Sequence, residues 1–225
     1  MIYIIPTKRG LGAEIWGTYQ DLSDFYDFIG KFWNDEQYTE VKGFANRDML
    51  ISGFSYEIRK AKEASRQQRT TSHYSLEPIK HYGVKISWVH FLFSLTAIKF
   101  NMRYYEVNKL DISMMLQIEY WLKTAMQNYD EIGAKKLSGF IEDGLYDANE
   151  YIYHYMRNIN TDYFLLWGGK KAFRMLPELL KCGVFFSDEY KDFQKQLEQD
   201  AKSLECDIND LELNDEHIDF DKIKW

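Results

Sequence analysis

The sequence predicts an α+β protein that is mostly helical, with a small N-terminal antiparallel sheet packed on helices, followed by a C-terminal helical bundle. Three observations support this class. Short apolar runs beside glycine turns occur in the first 20 residues and again just before Trp88. Apolar residues then recur at spacings of three and four along most of the chain. Only three prolines interrupt the 225 residues, which favours long helices.

Length and composition indicate one folded domain. Hydrophobic residues make up 45% of the 225 residues and aromatic residues 17%, which excludes a disordered or collagen-like chain. A chain of this length buries enough surface for one core. We expect a single domain over residues 1–225, made of an α+β part (1–105), a helical part (106–205) and an acidic C-terminal tail (206–225).

The predicted sheet has about three strands, each a short apolar run bounded by turn residues. Ile2–Ile5 is closed by Pro6, and Ala13–Thr18 alternates enough to be the second strand. The glycines between these two runs predict a hairpin. Gly83–Ser87 is the third predicted strand, and the polar segment Gln67–Tyr82 before it is predicted to be a loop.

Three helices are predicted around these strands. The first has an apolar face over Leu22–Trp33, and Asp21 or Ser23 is the expected cap because either side chain can accept an orphan backbone N–H. The second helix spans Asn46–Arg66. The third, Trp88–Phe100, is apolar nearly all round and is therefore the predicted central helix.

The C-terminal half is predicted to be a helical bundle. Asp111 is the expected cap of its first helix, and Ser187 is the expected start of its last. Both helices have apolar stripes at spacings of three and four. Shorter helices are predicted between them, over Ile132–Ile141, Ala148–Ile159, Tyr163–Trp167 and Ala172–Cys182.

Cysteine usage and the N-terminal sequence indicate a soluble cytoplasmic protein. Cys182 and Cys206 form no C-x-x-C pair, and two free thiols fit a reducing compartment. The N-terminal apolar stretch is too short for a signal peptide. No window approaches the ~20 apolar residues of a spanning helix, so no membrane partner is expected.

Two motifs match known site patterns only in part. The Thr7–Gly12 loop completes neither phosphate-loop pattern, so a hairpin turn is expected there. Gly53-Phe-Ser55-Tyr-Glu57 lacks the second glycine of a nucleophile elbow and falls inside a predicted helix. Neither motif therefore predicts a reaction.

Three stretches of the N-terminal half carry a family resemblance: Ala13–Tyr19 with the strand and turn before it, Gly53–Ala61, and Val84–Phe93. They resemble a bacterial family known only as a domain of unknown function, number 6904. The resemblance covers residues 1–105 and leaves the C-terminal half uncovered. It implies a small intracellular bacterial protein and supplies no catalytic residue, cofactor or partner.

The negative charge of the chain is concentrated at its C-terminal end. Residues 187–225 hold 13 acids and 5 bases, net -8, whereas the other 186 residues hold 22 acids and 23 bases, net +1. Between Asp207 and Asp221 there are seven acids and no Lys or Arg. The last residues interleave bulky apolar side chains with charges, a pattern typical of an edge strand or a docking peptide.

The leading hypothesis is therefore a non-enzymatic interaction protein, of the immunity or defence type, that binds a protein with a basic surface. Charge complementarity raises the association rate and selects the partner. The simpler interpretation is that the tail only solubilises the fold or folds back onto Arg59–Arg69. The residues expected to contact the partner are Asp207, Asp210, Glu212, Asp215, Glu216, Asp219, Asp221 and Trp225.

The second hypothesis is a small enzyme or a nucleotide- or anion-binding domain with a site near Arg59, His73 and Trp88. The predicted second helix ends in a basic segment beside an aromatic loop. Arginine can clamp an anionic group, and histidine can act as an acid or a base. The expected anion-binding residues are Arg59, Lys62, Arg66, Arg69 and His73, with Tyr56 as a further candidate.

A third hypothesis is nucleic-acid binding through Arg59–Arg69. A nucleic-acid module usually has a broader basic stripe, so this local cluster in an acidic protein argues against it. Asp147, Glu150 and His154 fall at i, i+3 and i+7, where a metal ion would be conceivable, but a solvated helix face is the expected role. No metal and no cofactor are therefore expected. The aromatic content is also compatible with self-association.

Overall fold

The computed structural model describes residues 1–72, 77–142, 144–212 and 222–225. Within these ranges, four strands form one antiparallel sheet in the order β1-β2-β4-β3: β1 (Tyr3–Pro6), β2 (Gly12–Gly17), β3 (Gln67–Thr71) and β4 (Ile79–Ser87). The helices are α1 (Tyr19–Gly30), α2 (Phe44–Lys62), α3 (Trp88–Asn101), α4 (Lys109–Tyr129), α5 (Glu131–Glu142), α6 (Ile152–Leu165), α7 (Lys170–Leu180) and α8 (Asp188–Leu204). The predicted α+β, mostly helical class is confirmed.

The hairpin predicted from the first two apolar runs is present as β1 and β2. Its turn passes through Gly10 at φ +68°, and a Cβ there would lie 2.0 Å from the Tyr129 ring, so the turn requires glycine. The Gly10 carbonyl accepts hydrogen bonds from Trp88 Nε1 at 2.9 Å and from the Tyr163 hydroxyl at 2.6 Å. These bonds anchor the hairpin to α3 and α6.

The loop predicted over Gln67–Tyr82 is wrong, because this segment contains β3 and the start of β4. β3 is polar and mostly exposed, since an edge strand pairs on one side only and needs no apolar alternation. Its packing comes from Arg69, whose guanidinium carbon lies 4.4 Å from the centre of the Trp16 ring and 4.8 Å from that of Tyr3. Cation–π contact thus replaces apolar burial here.

The predicted helix caps are displaced by three residues. Thr18, and neither Asp21 nor Ser23, caps α1, while Asp21 is the third helical residue and completes a capping box. In the same way, Asn108 caps α4 and Asp111 is its third residue. The acids predicted as caps are therefore the second members of capping boxes.

The two short helices predicted over Ala148–Ile159 and Tyr163–Trp167 are one helix, α6, which begins only at Ile152. Ile159 and Tyr163 are both buried and lie four residues apart, so one apolar stripe continues across the polar residues between them. The last helix, α8, begins after Ser187 as predicted.

The core is one cluster of buried apolar side chains that joins the sheet to the helices. α3 lies at its centre, with 12 of its 14 residues buried, as its all-round apolar sequence predicts. None of the helices in the described part of the chain combines the length and apolar composition needed to cross a bilayer.

A buried arginine ties the first three helices together. Arg47 in α2 is fully buried, and its guanidinium donates to Asn101 Oδ1 at 3.0 Å and to the Lys42 carbonyl at 2.9 Å. The same guanidinium lies 4.0 Å from the centre of the Phe100 ring. The Asn101 amide then donates to the Phe32 carbonyl, just after α1, at 2.8 Å. Burial lowers the pKa of Arg47 to about 10, so the side chain stays protonated at neutral pH.

An ion pair ties the C-terminal helices. Asp130, in the junction between α4 and α5, is buried and accepts two hydrogen bonds from Arg174 in α7, at 2.7 and 2.8 Å. The Gly133 backbone N–H donates a third at 2.8 Å. The hydrogen bonds from Arg174 lower the pKa of the Asp130 carboxyl to about 2.

We expect Asn101→Ala to reduce the free energy of unfolding by about 3 kcal/mol, because it removes the acceptor of a buried cation and the donor to Phe32. Urea denaturation measures this loss. Ser94→Ala is the matched control, since Ser94 is equally buried on α3 but its hydroxyl has no hydrogen-bond partner within the described residues. Equal losses for the two variants would contradict this role for Asn101.

Asp130→Asn should lower the melting temperature at neutral pH and flatten its decrease in acid. A carboxylate with a depressed pKa stabilises the fold above its unfolded-state pKa, about 4, and this stabilisation disappears as the pH falls towards about 2. Thermal unfolding followed by circular dichroism at pH values between these limits measures the effect. Parallel profiles for the wild type and the variant would show that Asp130 does not contribute.

Candidate functional site

The strongest candidate site is a pocket of about 310 Å³ between the end of α1 and the outer face of α2. We call it the Arg59 pocket. Among the described residues, it combines three aromatic rings with two serines, a glycine and one cation, and its lining contains no carboxylate. The lining residues are Tyr26, Trp33, Ser52, Gly53, Ser55, Tyr56 and Arg59.

The α2 side of the Arg59 pocket follows from helical spacing. Ser52, Tyr56 and Arg59 fall at i, i+4 and i+7, so they share one face of the helix. Gly53 lies beside this face and contributes no side chain. Arg59 also belongs to the last turn of α2, where a cation suits the negative end of the helix dipole.

Trp33 is held in the Arg59 pocket through its two sequence neighbours. The Phe32 carbonyl accepts the hydrogen bond from Asn101. The Asn34 backbone N–H donates to Asp48 Oδ2 in α2 at 2.9 Å. Burial raises the pKa of the Asp48 carboxyl. Both bonds connect the turn after α1 to other helices, so the position of the indole is fixed by the frame beneath it.

Three polar atoms of the lining residues are buried without a partner. Within the described part of the chain, Trp33 Nε1, Ser55 Oγ and Arg59 Nε make no hydrogen bond. Ser55 is only 2% exposed. An unpaired buried donor costs about 1–3 kcal/mol, so three such atoms around one pocket point to a ligand that pairs them.

Cations lie against the aromatic walls of the Arg59 pocket. The Arg59 guanidinium carbon is 5.2 Å and Lys60 Nζ 5.5 Å from the centre of the Tyr56 ring. Lys62 Nζ lies 4.4 Å from the centre of the Tyr26 ring. These contacts place three positive side chains at or beside the pocket.

Within the described ranges, one acid is paired with these cations. Glu63 lies 3.3 Å from Lys60 Nζ, whereas its distance to Arg59 Nε is 3.9 Å, too long for a hydrogen bond. The local charge is therefore positive, and the Arg59 Nε–H stays available to an acceptor.

The structure brings together only part of the predicted anion site. Arg59 and Tyr56 line the pocket and Lys62 lies on its wall. Arg66 does not join them, because it makes two hydrogen bonds to Glu57, at 2.8 and 2.9 Å.

The other members of the predicted anion site lie elsewhere. Arg69 stacks on β1 and β2 side chains. Trp88 is fully buried, and its Nε1 donates to the hairpin turn. His73 lies outside the described residues.

Five residues of the Arg59 pocket are not predicted from the sequence as site residues: Tyr26, Trp33, Ser52, Gly53 and Ser55. Trp33 belongs to the apolar face of the first helix, and Ser55 is considered only as a nucleophile. Tyr26 has no signal of its own. The spacing of Tyr56 and Arg59 on α2 is the one local pattern that predicts part of the pocket. The other wall depends on how α1 packs against α2, which is a long-range contact.

A second hollow, of about 420 Å³, lies near the C-terminal ends of α3 and α5. Three of its charged groups, on Lys99, Arg103 and Asp147, are bound to protein partners. Arg103 donates to Asp147 at 2.5 Å. Lys99 Nζ donates to the Ile141 carbonyl at 2.8 Å and lies 3.0 Å from Glu119. This hollow therefore offers a ligand fewer unpaired polar groups than the Arg59 pocket does.

The spacing of Asp147, Glu150 and His154 does not produce a shared helix face. Asp147 and Glu150 precede α6, where they pair with Arg103 and with Lys42. His154 is buried inside α6, and burial lowers its pKa. The solvated helix face expected here is also wrong, since only His154 is helical.

The described part of the acidic tail lies against the body of the protein. Ile208, Leu211, Ile223 and Trp225 pack on the core cluster. The Trp225 ring lies 5.8 Å from that of Phe164 in α6. The described bulky residues at the end of the predicted docking peptide, Ile223 and Trp225, therefore face inward.

The predicted partner-binding acids differ in their surroundings. Asp207 accepts the Asn209 backbone N–H at 2.9 Å and so caps a short turn of its own chain. Asp210 and Glu212 are exposed. The remaining acids lie outside the described residues: Asp215, Glu216, Asp219 and Asp221.

Comparisons with known proteins identify the family without naming an activity. No curated protein and no solved structure matches the chain. A family model described as a domain of unknown function, DUF6904, matches residues 2–225. The likeness therefore extends well beyond residues 1–105, into the C-terminal half. This chain belongs to the DUF6904 family.

Proposed function

We propose that this protein binds a small organic anion in the Arg59 pocket. The observation that carries the proposal is the set of buried, unpaired polar atoms on Trp33, Ser55 and Arg59. Indole and guanidinium N–H groups only donate hydrogen bonds, so the matching ligand atoms are acceptors. A carboxylate or phosphate group supplies several acceptors at once.

The charge around the Arg59 pocket supports an anion rather than a neutral acceptor. Arg59, Lys60 and Lys62 lie on or beside its walls, and in the described part of the chain Glu63 is the one acid paired with them. Hydrogen bonds between a guanidinium and an anion are about twice as strong as neutral ones. Among the residues that the structure describes, the lining includes neither a carboxylate nor a histidine, so we propose binding rather than acid–base catalysis.

The aromatic walls and the size of the Arg59 pocket indicate the rest of the ligand. Tyr26, Trp33 and Tyr56 offer faces on which a planar group can stack. A volume of about 310 Å³ is at the lower end of the range for ligand pockets. The ligand is therefore a small planar molecule with an anionic group, such as an aromatic acid or a mononucleotide.

Calorimetric titration of the full chain with benzoate, AMP and inorganic phosphate tests this function. We expect at least one planar anion to bind, and phosphate alone to bind more weakly, because it cannot stack. Arg59→Gln should weaken binding by about tenfold or more, because it removes a charged hydrogen bond. No binding of either planar anion at millimolar concentration would contradict the proposal.

Two further variants serve as controls for that titration. Arg66→Gln removes an arginine of the same basic segment that is paired with Glu57, so binding should not change. Trp33→Phe keeps an aromatic wall and removes the indole N–H, so binding should weaken by roughly threefold to tenfold. Equal losses of affinity in the Arg66 and Arg59 variants would show that the loss comes from the positive charge of the segment and not from a hydrogen bond to Arg59.

A second function that we propose is binding of a protein with a basic surface through the acidic tail. Asp210 and Glu212 favour it, because both are exposed and neither has an ion pair within the described residues. Ile208 and Leu211 hold this segment on the core. An anchored acidic patch loses less conformational freedom on binding than a free tail does.

Neutralising the two exposed acids tests partner binding without disturbing the fold. Asp210→Asn with Glu212→Gln should leave the melting temperature nearly unchanged, because both side chains are exposed. The double variant should lose the protein partner that the wild type retains in affinity purification from its native host. Deleting residues 207–225 should lower the melting temperature as well, because Trp225 and Ile223 leave the core. Full retention of the partner by the double variant would overturn the proposal.

A further inference from the structure

One face of α4 presents a narrow apolar stripe to solvent. Ile112, Leu116 and Tyr120 recur every four residues and are 49%, 59% and 63% exposed. Lys109 and Lys123, both exposed, extend the stripe by three residues at each end. Because spacings of three and four keep side chains on one helix face, these five residues form a single line, which we call the α4 stripe.

A preformed groove lies beside Ile112 and Leu116 of the α4 stripe. It has a volume of about 420 Å³ and lies between α4 and the ends of α3 and α5, with Met102, Ile112, Met115 and Leu116 among its lining residues. Lys99 links the three helices through its contacts with Glu119 and the Ile141 carbonyl. The groove is therefore fixed before any partner arrives, which lowers the entropy lost on docking.

The charges around the α4 stripe restrict what can cover it. Both acids of α4 are engaged: Asp111 with Lys31 at 2.6 Å, and Glu119 with Lys99 at 3.0 Å. Cations therefore stand at the two ends of the α4 stripe, while Glu142 lies in the lining beside its centre. A surface that complements the α4 stripe therefore carries acids at both ends. At its centre it is apolar and carries no acid.

A second copy of α4 does not meet this requirement. Parallel pairing places Lys109 beside Lys109 of the other copy, and antiparallel pairing centred on Leu116 places Lys109 beside Lys123. Like charges at both ends oppose either arrangement. The complementary partner is another protein.

We propose that the α4 stripe binds an amphipathic helix of a partner protein. That helix carries three apolar residues at spacings of four, with a carboxylate three residues before the first and another three residues after the last. Its apolar residues enter the groove beside Leu116, and its acids pair with Lys109 and Lys123. This is helix-in-groove recognition with charge selecting the partner.

Two synthetic helical peptides test the proposal on the full-length protein. Both carry leucines at the three apolar positions, and they differ only in having Glu or Lys at the two end positions. Fluorescence anisotropy at low salt should show the Glu peptide binding about tenfold more tightly than the Lys peptide. Lys109→Glu with Lys123→Glu should reverse this order, and high salt should reduce the difference.

Two substitutions of exposed leucines by aspartate locate the binding face. Leu116→Asp should abolish binding of the Glu peptide, because it places a charge at the centre of the α4 stripe. Leu110→Asp is the matched control: Leu110 is 70% exposed on α4 but lies off the α4 stripe, so binding should persist. Unchanged circular dichroism shows that both variants fold.

Four results would overturn the proposal. The first is binding of neither peptide, and the second is equal binding of both by the wild type. A dimer that Leu116→Asp dissociates would assign the face to a second copy. Leu116-dependent binding to phosphatidylserine vesicles without peptide binding would assign it to a membrane surface. Each result is independent of ligand binding in the Arg59 pocket.

Discussion

The buried guanidinium of Arg47 is the interaction on which the candidate site depends. It is a cation held by neutral oxygens and an aromatic face, and it ties α2 to the end of α3 through Asn101. Asn101 passes the connection to the Phe32 carbonyl, one residue before Trp33. The shape of the Arg59 pocket is therefore set by polar contacts beneath it. Breaking these contacts would leave the buried Arg47 cation without its partners.

This frame explains why the Arg59 pocket can keep unpaired polar atoms. Relaxation towards a partner within the protein would require the turn that carries Trp33 to move, and its neighbours hold it on both sides. The fold therefore retains a local cost at Trp33, Ser55 and Arg59 that a ligand's acceptors remove. Binding and stability are linked in such a site, because a ligand that pairs these groups also stabilises the folded state.

Elements with their own periodicity were predictable from the sequence, and contacts between distant elements were not. The all-round apolar pattern of α3 and the paired runs of β1 and β2 predict their structures. β3 has no such pattern, because its packing comes from Arg69 stacking on Trp16. In the Arg59 pocket, spacing predicts that Tyr56 and Arg59 share a helix face. The position of Trp33 beside them depends on the buried Arg47 network, and no local sequence pattern predicts it.

The indole N–H of Trp33 gives the most direct test of this account. The chain has six tryptophans, so the nitrogen–proton correlation spectrum of the isotope-labelled protein has six indole signals, and Trp33→Phe assigns the relevant one. Titration with the planar anion that binds, benzoate or AMP, should move the Trp33 signal downfield and saturate, because the N–H gains an acceptor, and Arg59→Gln should raise the concentration needed for the shift by about tenfold or more. A Trp33 signal that stays in place throughout the titration would contradict the account.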